Sequence, residues 1–180
     1  MPGRLSIDTS KLYKVYDNNR VKCMAKRWLG LSAAKDSVTV VNAEIPSDSG
    51  PIVIVSDDTW RLQKGDRAAA YSVLHQQCAD YIKENGIAAV VVKASAVTGQ
   101  GSAKLGLLTG AEVRGVVMAA AGALCPVKSL SKAVVSKTYG DRKVDEYVAD
   151  DAFWATHTTG GALRKLSREA AMLLIAARNA

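Results

Sequence analysis

Basic side chains that could hold phosphate groups are clustered in the last third of the chain. The first cluster surrounds Gly140 and consists of Lys132, Lys137, Arg142 and Lys143. The second precedes the last predicted helix and consists of Arg164, Lys165 and Arg168. Lysine and arginine contact nucleic-acid backbones by charge, which supplies affinity but reads little sequence. The alternative is that both clusters are ordinary solvated surface.

A glycine-rich segment lies between a predicted buried strand and a predicted helix. Residues 98–104 read TGQGSAK, and phosphate-binding loops occur in this context. The segment completes neither the G-x-x-x-x-G-K-[ST] nor the G-x-G-x-x-G pattern. We therefore interpret it as a flexible connection whose Lys104 remains available to contact phosphate.

The positive charge of the chain is concentrated at its two ends. The formal net charge is +7 over 180 residues. Residues 1–30 carry seven basic and two acidic side chains, residues 31–92 five and eight, and residues 93–180 twelve and seven. Such asymmetry suits a polyanionic partner, and nucleic acid is the first candidate.

Cysteine and histidine give no sign of a metal site or a disulfide framework. Cys23, Cys78 and Cys125 are odd in number and far apart, and His75 and His157 lack metal-ligand spacing. We expect each cysteine to be a reduced, buried structural residue. Apolar runs are shorter than the ~18 residues that span a bilayer, and residues 1–19 lack the apolar core of a signal peptide. The sequence thus predicts a cytoplasmic protein with no membrane partner.

The hydrophobic pattern predicts a single α/β domain over residues 22–180, after a basic leader or arm over residues 1–21. Strands are predicted at residues 27–32, 37–43, 52–56, 87–92 and 126–130. Helices are predicted at residues 65–85, 109–124, 131–137, 143–154 and 167–179, with caps at Ser131 and Ser167 and a turn at 157–161. Trp60 is predicted to lie in a polar loop. The first two strands form a hairpin, and the buried run at 87–92 indicates a parallel βαβ unit.

Several segments, which follow one another in the family's order along the chain, resemble the RuvC-type Holliday-junction resolvases of the ribonuclease H-like superfamily. These are residues 28–41 (WLGLSAAKDSVTVV), 90–96 (VVVKASA), 111–122 (AEVRGVVMAAAG), 131–140 (SKAVVSKTYG) and 169–177 (EAAMLLIAA). The resemblance spans about residues 22–178, and the middle segments are the most specific. It implies a ribonuclease H-like fold, with a mixed sheet of antiparallel hairpin strands and parallel strands flanked by helices.

The resemblance also implies where a two-metal nuclease site should lie. Such a site needs carboxylates at the end of the first strand, at the end of the central strand and on the last helix. At these positions the chain has Ser32, Lys93 and Glu169. A hydroxyl replaces a carboxylate poorly, and at ~4 Å with an effective dielectric near 20 a lysine repels a cation by about 4 kcal/mol per unit charge. The centre is therefore predicted to be degenerate, with no metal, and Lys93 to hold a phosphate instead.

The leading hypothesis is a catalytically inactive protein that holds branched or structured DNA or RNA. Its predicted contacts are Lys93, Lys104, Lys132, Lys137, Arg142, Lys143, Arg164 and Lys165. Because RuvC-like resolvases work as dimers, the resemblance implies a homodimer or a subunit of a larger nucleoprotein complex.

Two alternatives remain open from the sequence. One is an active, Mg²⁺-dependent, structure-selective endonuclease with relocated carboxylates, for which Asp36, Glu112, Asp150 and Glu169 are candidates. The other is a protein-interaction or structural module that binds no nucleic acid. Binding measured at several salt concentrations separates this last alternative from the other hypotheses, since phosphate-driven binding must weaken as the salt concentration rises.

Overall fold

Six strands form one mixed sheet with helices on both faces. The computed structural model describes residues 25–47, 49–95, 105–140 and 142–179. The strands are β1 (Lys26–Ala33), β2 (Ser37–Ile45), β3 (Ile52–Arg61), β4 (Ala89–Lys93), β5 (Val127–Leu130) and β6 (Thr158–Gly160). The helices are α1 (Arg67–Glu84), α2 (Leu105–Gly122), α3 (Lys132–Tyr139), α4 (Val144–Ala149), α5 (Asp151–His157) and α6 (Arg168–Asn179). The predicted leader, Cys23 and Lys104 lie outside the described residues.

The strand order of the sheet is β5-β4-β1-β2-β3-β6. β1, β2 and β3 are antiparallel neighbours, whereas β4 lies parallel to β1 and β5 parallel to β4. The predicted mixed sheet of hairpin strands and parallel strands is therefore confirmed. β6 adds a short strand parallel to the far edge of β3.

Alternate side chains of the central strands enter two separate cores, because successive residues of a strand point to opposite faces. Leu29 and Leu31 of β1 pack with Val90 and Val92 of β4 in the core shared with α1 and α2. Val91 belongs to the opposite core, beneath α6. β4 is apolar on both faces because helices cover both sides of it.

Helix α6 lies directly on the sheet. Its residues 170–177 are all buried, and its backbone crosses β1 at Gly30. A Cβ atom at Gly30 would lie 2.3 Å from the carbonyl oxygen of Ala170, so only glycine permits this approach. The close contact brings the first turn of α6 to the C-terminal ends of β1 and β4.

The predicted single helix over residues 143–154 is wrong, since the segment contains two short helices. Asp150 adopts an extended backbone between α4 and α5, and its side chain accepts a hydrogen bond from the Phe153 N–H at 3.0 Å. This N-cap starts a second helix in a new direction. The turn predicted at residues 157–161 contains β6, which the sequence analysis did not anticipate.

Strand β3 is longer than predicted, and the placement of Trp60 in a polar loop is wrong. β3 continues to Arg61, and Trp60 is buried with its ring edge-on to Tyr81 at a centroid distance of 5.3 Å. Two aspartates in the middle of β3, Asp57 and Asp58, interrupt the pattern that predicts a strand, because acidic residues are uncommon in strands.

Helix α2 begins at Leu105, four residues before its predicted start. Within the described ranges, it is the helix whose length and apolar composition would also permit a membrane span, a property that core helices of soluble proteins share. Its Val113, Val117 and Ala121 are buried against the sheet. The absence of a membrane partner and the cytoplasmic location remain predictions.

Cys78 is fully buried, as predicted, between α1 and α2. Burial, together with the nearby thiol of Cys125, raises the pKa of Cys78 to about 12. Its thiol is therefore protonated and unreactive at neutral pH. Cys125 is only partly buried.

Candidate functional site

The three positions predicted for a degenerate centre come together on the α6 face of the sheet. Leu31 of β1 pairs with Val92 of β4, so the next residues along, Ser32 and Lys93, are neighbours on the face that carries Val91. The Lys93 Nζ lies 2.7 Å from Oε1 of Glu169 in the first turn of α6. About a third of each of these two side chains is exposed.

This arrangement does not fit a pair of divalent cations. The ammonium group of Lys93 occupies the coordination space of Glu169, and Ser32 offers one neutral oxygen. The cavity that Lys93 and Glu169 line with Lys132 measures only about 10 Å³, roughly the least that a single water molecule needs. Among the described residues, no three histidine, cysteine, aspartate or glutamate side chains are grouped so that they could hold a metal ion.

A second charged cluster lies on the same face, under the other side of the α6 N-terminus. The register of β2 and β3 shifts at Asn42 and Ala43, a β-bulge that reverses the alternation of β3. The bulge turns Asp57 toward α6, whereas Ser56 faces Tyr81 of α1 and bonds its hydroxyl at 2.7 Å. Bulges often re-aim a side chain in this way near functional sites.

Asp57 holds the segment before α6 at two points. It accepts hydrogen bonds from the backbone N–H of Arg164 at 2.7 Å and from the Arg164 guanidinium at 2.6 and 3.1 Å. It also accepts a bond from the Ser167 hydroxyl. The Asp57 side chain is only 4% exposed. Burial by itself would raise the pKa of Asp57, but the bonds from Arg164 and Ser167 outweigh burial and lower it.

The predicted helix cap at Ser167 is therefore wrong. Its hydroxyl donates to Asp57, and α6 continues directly from the 3-10 turn Lys165–Ser167. The Ser167 N–H bonds the Arg164 carbonyl at 2.9 Å, which closes a tight turn. Leu166 projects from this turn with 86% of its surface exposed.

The predicted basic cluster around Gly140 forms an open depression of about 520 Å³ where α3 meets α4. Gly140 ends α3 in the left-handed conformation, at φ 80°. Lys137 and Lys143 are exposed, and neither has an ion-pair partner within the described ranges. Arg142 is held by Asp150 at 2.9 Å, and its guanidinium lies 4.3 Å from the centre of the Tyr147 ring.

The remaining predicted basic residues that the structure describes have acidic partners. Lys132 bonds both oxygens of Asp145 at 2.6 Å, and Lys165 lies 3.6 Å from Asp151. Arg168 is buried, with Asp151 at 2.6 Å. Lys165 is 75% exposed and keeps much of its field toward solvent.

Each acid considered for a relocated nuclease site is engaged elsewhere. Asp36 lies 3.8 Å from Arg67, and Glu112 lies 3.2 Å from the same guanidinium. The hydroxyl of Tyr71, and then Arg67, hold the pKa of Glu112 below its usual value. For Asp150, the Phe153 N–H and then Arg142 lower the pKa. Asp36 and Glu112 share the guanidinium of Arg67, whereas Asp150 lies elsewhere, beside Arg142.

Sequence reasoning missed Asp57 as the hub of this face. No sequence motif distinguishes Asp57 from the other acids of the chain, and its role depends on a bulge that no local pattern predicts. The signal that could have found the close α6 approach was the glycine within the apolar Leu29-Gly30-Leu31 triplet, because glycine weakens a strand unless backbone must pass close by.

The strand order and the helices on both faces define a ribonuclease H-like α/β protein. Within that class the chain has the RuvC-type fold. It is similar to T. thermophilus RuvC in complex with a Holliday-junction substrate, with a TM-score of 0.60 and 12% identity over 84% of this chain and 91% of that one. It is also similar to the yeast mitochondrial Holliday-junction resolvase Ydc2, with a TM-score of 0.58 and 13% identity over 87% and 79%. At such low sequence identity, the structural similarity establishes the fold alone. No protein-family model and no curated protein sequence matches the chain.

Proposed function

We propose that this protein binds branched or structured nucleic acid through phosphate contacts on the α6 face and does not cleave it. The observation that carries the proposal is the ion pair between Lys93 and Glu169. In the alignment that the resemblance to RuvC-type nucleases implies, a cation of the protein itself takes the position expected for divalent metal. A fixed ammonium group attracts a phosphate but cannot activate water for its hydrolysis.

The distribution of charge supports a polyanionic ligand. Lys137 and Lys143, which have no ion-pair partner among the described residues, line the depression at Gly140 on the side of the sheet that also carries Lys93. Two of the similar structures are described as a RuvC bound to a Holliday junction and as a Holliday-junction resolvase. Branched DNA is therefore the first ligand to test, with structured RNA as the second.

The proposal extends to the assembly and the cell. A chain that holds a junction without cutting it needs a partner to act on the bound polymer. We propose that it works in the cytoplasm as a homodimer or as a subunit of a larger nucleoprotein complex.

An active nuclease with relocated carboxylates is the weaker candidate. Asp36, Glu112 and Asp150 are each tied to an arginine. A divalent cation would have to displace these partners and draw together acids that lie on separate elements.

One observation favours a protein-binding module as a second candidate. Leu105, Leu107 and Leu108 at the start of α2 are 70%, 48% and 52% exposed. An exposed apolar patch of this kind commonly marks an interaction site. It is compatible with nucleic-acid binding at the opposite face of the sheet.

A gel-shift experiment tests the proposed function. Labelled four-way junction, duplex DNA, single-stranded DNA and structured RNA are incubated with the protein, with and without Mg²⁺ or Mn²⁺. We expect salt-sensitive binding and intact polymer in every lane. Metal-dependent cutting that is lost in D36N, E112Q, D150N or E169Q would overturn the claim of inactivity, and unaltered migration at low salt would overturn nucleic-acid binding.

A matched pair of charge reversals tests the placement of the contacts. K137E/K143E and K64E/K83E change the net charge equally, but Lys64 lies in the connection before α1 and Lys83 in the last turn of that helix. We expect the first variant to reduce the slope of log K against log salt by about two units, and the second to leave it near wild type. Equal losses in both variants would mean that binding depends on overall charge and not on the α6 face.

A further inference from the structure

Leu166 is the most exposed large apolar side chain in the described part of the molecule. It lies at the tip of the turn that precedes α6, between the exposed cation Lys165 and the fully buried Ser167. A leucine in this position contributes nothing to either core. Its surroundings must therefore supply the reason for an apolar tip.

The turn that carries Leu166 is fixed in place. Asp57 bonds Arg164 on one side of the tip and Ser167 on the other, and the Ser167 N–H closes the turn on the Arg164 carbonyl. The Asp57 carboxylate is almost completely buried. A tip anchored on both sides is already ordered before a ligand arrives, so little entropy is lost when it inserts into a binding partner.

The charge around the tip selects the kind of partner. Lys165 is 75% exposed and Arg164 is 47% exposed, so two exposed cations directly precede the leucine. Glu169, three residues further on, is occupied by Lys93. An apolar side chain beside cations matches stacked bases beside phosphates, because leucine can enter a base step while lysine and arginine contact the backbone.

We propose that Leu166 is a wedge that inserts between bases at a distorted or branched step of the bound nucleic acid. This inference rests on the proposed function and adds to it the side chain that selects structure. Opening a base step is least costly where stacking is already broken. The wedge would therefore favour branch points over continuous duplex, although phosphate contacts alone do not distinguish them.

Fluorescence of 2-aminopurine tests the wedge, since this base brightens when it is unstacked. The probe is placed at successive positions beside the branch of a four-way junction and in a matched continuous duplex. We expect wild-type protein to brighten at least one position of the junction and none of the duplex. L166A should abolish the increase and weaken junction binding by less than about tenfold, because phosphate contacts supply most of the affinity.

Two further variants separate the wedge from general effects. L166F keeps a large apolar tip and should retain the increase. L124A removes another exposed leucine, 40% exposed just after α2, and should behave like wild type. Both Leu166 and Leu124 face solvent, so their replacement leaves the cores intact.

The outcomes distinguish the two proposals. Absence of binding to every polymer at low salt overturns both the wedge and the proposed function. Binding without brightening at any position, or full brightening by L166A, overturns the wedge and leaves the proposed function standing. Loss of brightening in L124A would show that the effect does not belong to the tip, and would also overturn the wedge.

Discussion

Two ion pairs fasten α6 and the turn before it to the sheet, and they differ mainly in burial. Lys93 and Glu169, on the β4 side, leave about a third of each side chain in solvent. On the β3 side, Arg164 is paired with Asp57, whose side chain is only 4% exposed and also accepts a hydrogen bond from the Ser167 hydroxyl. The chemistry of the charges is similar, but their surroundings are not.

This difference in burial separates a structural role from a binding role. A carboxylate withdrawn from water depends on its hydrogen bonds, so losing them is costly. An exposed pair exchanges readily with water and contributes little to stability. We infer that Asp57 holds the turn before α6 in position, whereas Lys93 is free to exchange Glu169 for a phosphate.

The largest expected effect is on the buried side. D57N keeps the shape of the side chain but removes the charge that accepts bonds from Arg164 and Ser167. We expect the free energy of unfolding to fall by about 3 kcal/mol, because charge-assisted hydrogen bonds are lost at a buried position. Urea denaturation at neutral pH measures the change, and a loss below about 1 kcal/mol would mean that Asp57 is not an anchor.

The pH dependence of the difference in stability between wild type and D57N provides the control for this prediction. The pKa of Asp57 is lowered from its ordinary value of 3.8. Its contribution is therefore complete above the unfolded-state value and is lost as the pH falls through the folded-state pKa. Wild type and D57N should differ in stability by a constant amount above about pH 5 and converge in acid. A constant gap down to the acid transition would assign the loss to packing.

The close contact of α6 with β1, which lies between the two ion pairs, can be disrupted at Gly30. G30A places a methyl group against the Ala170 carbonyl, at a spacing of 2.3 Å, and against the Leu174 side chain at 3.1 Å. We expect a loss of about 2 kcal/mol, since overpacking forces α6 away from the sheet. The matched control is G115A, because a Cβ there meets nothing within 4 Å. G115A should stabilise α2 by about 0.5 kcal/mol, and equal losses would discard the close-approach argument.

The same contrast explains how far the sequence could predict this molecule. The hairpin, the βαβ unit and the positions Ser32, Lys93 and Glu169 follow from local patterns, because apolar periodicity and motif order act over short stretches. The anchor does not, because Asp57 and Ser167 are 110 residues apart and meet only through a bulge in β3. Trp60 was misplaced for a related reason, since its ring packs against Tyr81, a partner distant in the sequence. The break at Asp150 is instead a local N-cap that the polar pattern of a helix surface conceals.

Redesign of the exposed ion pair tests whether the positions of Ser32, Lys93 and Glu169 have the geometry of a metal site. S32D/K93E would place two acids beside Glu169, at positions where the resemblance to RuvC-type nucleases implies metal ligands. We expect Mn²⁺ at ten times its dissociation constant to stabilise this variant by about 1.4 kcal/mol and wild type not at all. Thermal denaturation with and without Mn²⁺ measures the shift.

The control for that design is S32D/K93M. It removes the same lysine but supplies one carboxylate fewer, and should respond more weakly to Mn²⁺. An equal response in both variants would show that removing Lys93 matters and that the position of the second acid does not.

The smallest expected effect is on the pair that we assign to binding. E169Q removes the charge facing Lys93, and we expect the free energy of unfolding to change by less than about 1 kcal/mol, because both side chains are well solvated. Affinity for a four-way junction should rise in low salt, since Lys93 then presents its full charge to phosphate. K93Q would lose the same ion pair, with a similar effect on stability, but should weaken binding. If both variants bind equally, the exposed pair is only another surface ion pair, and its difference from the Asp57 anchor would lie in burial alone and not in function.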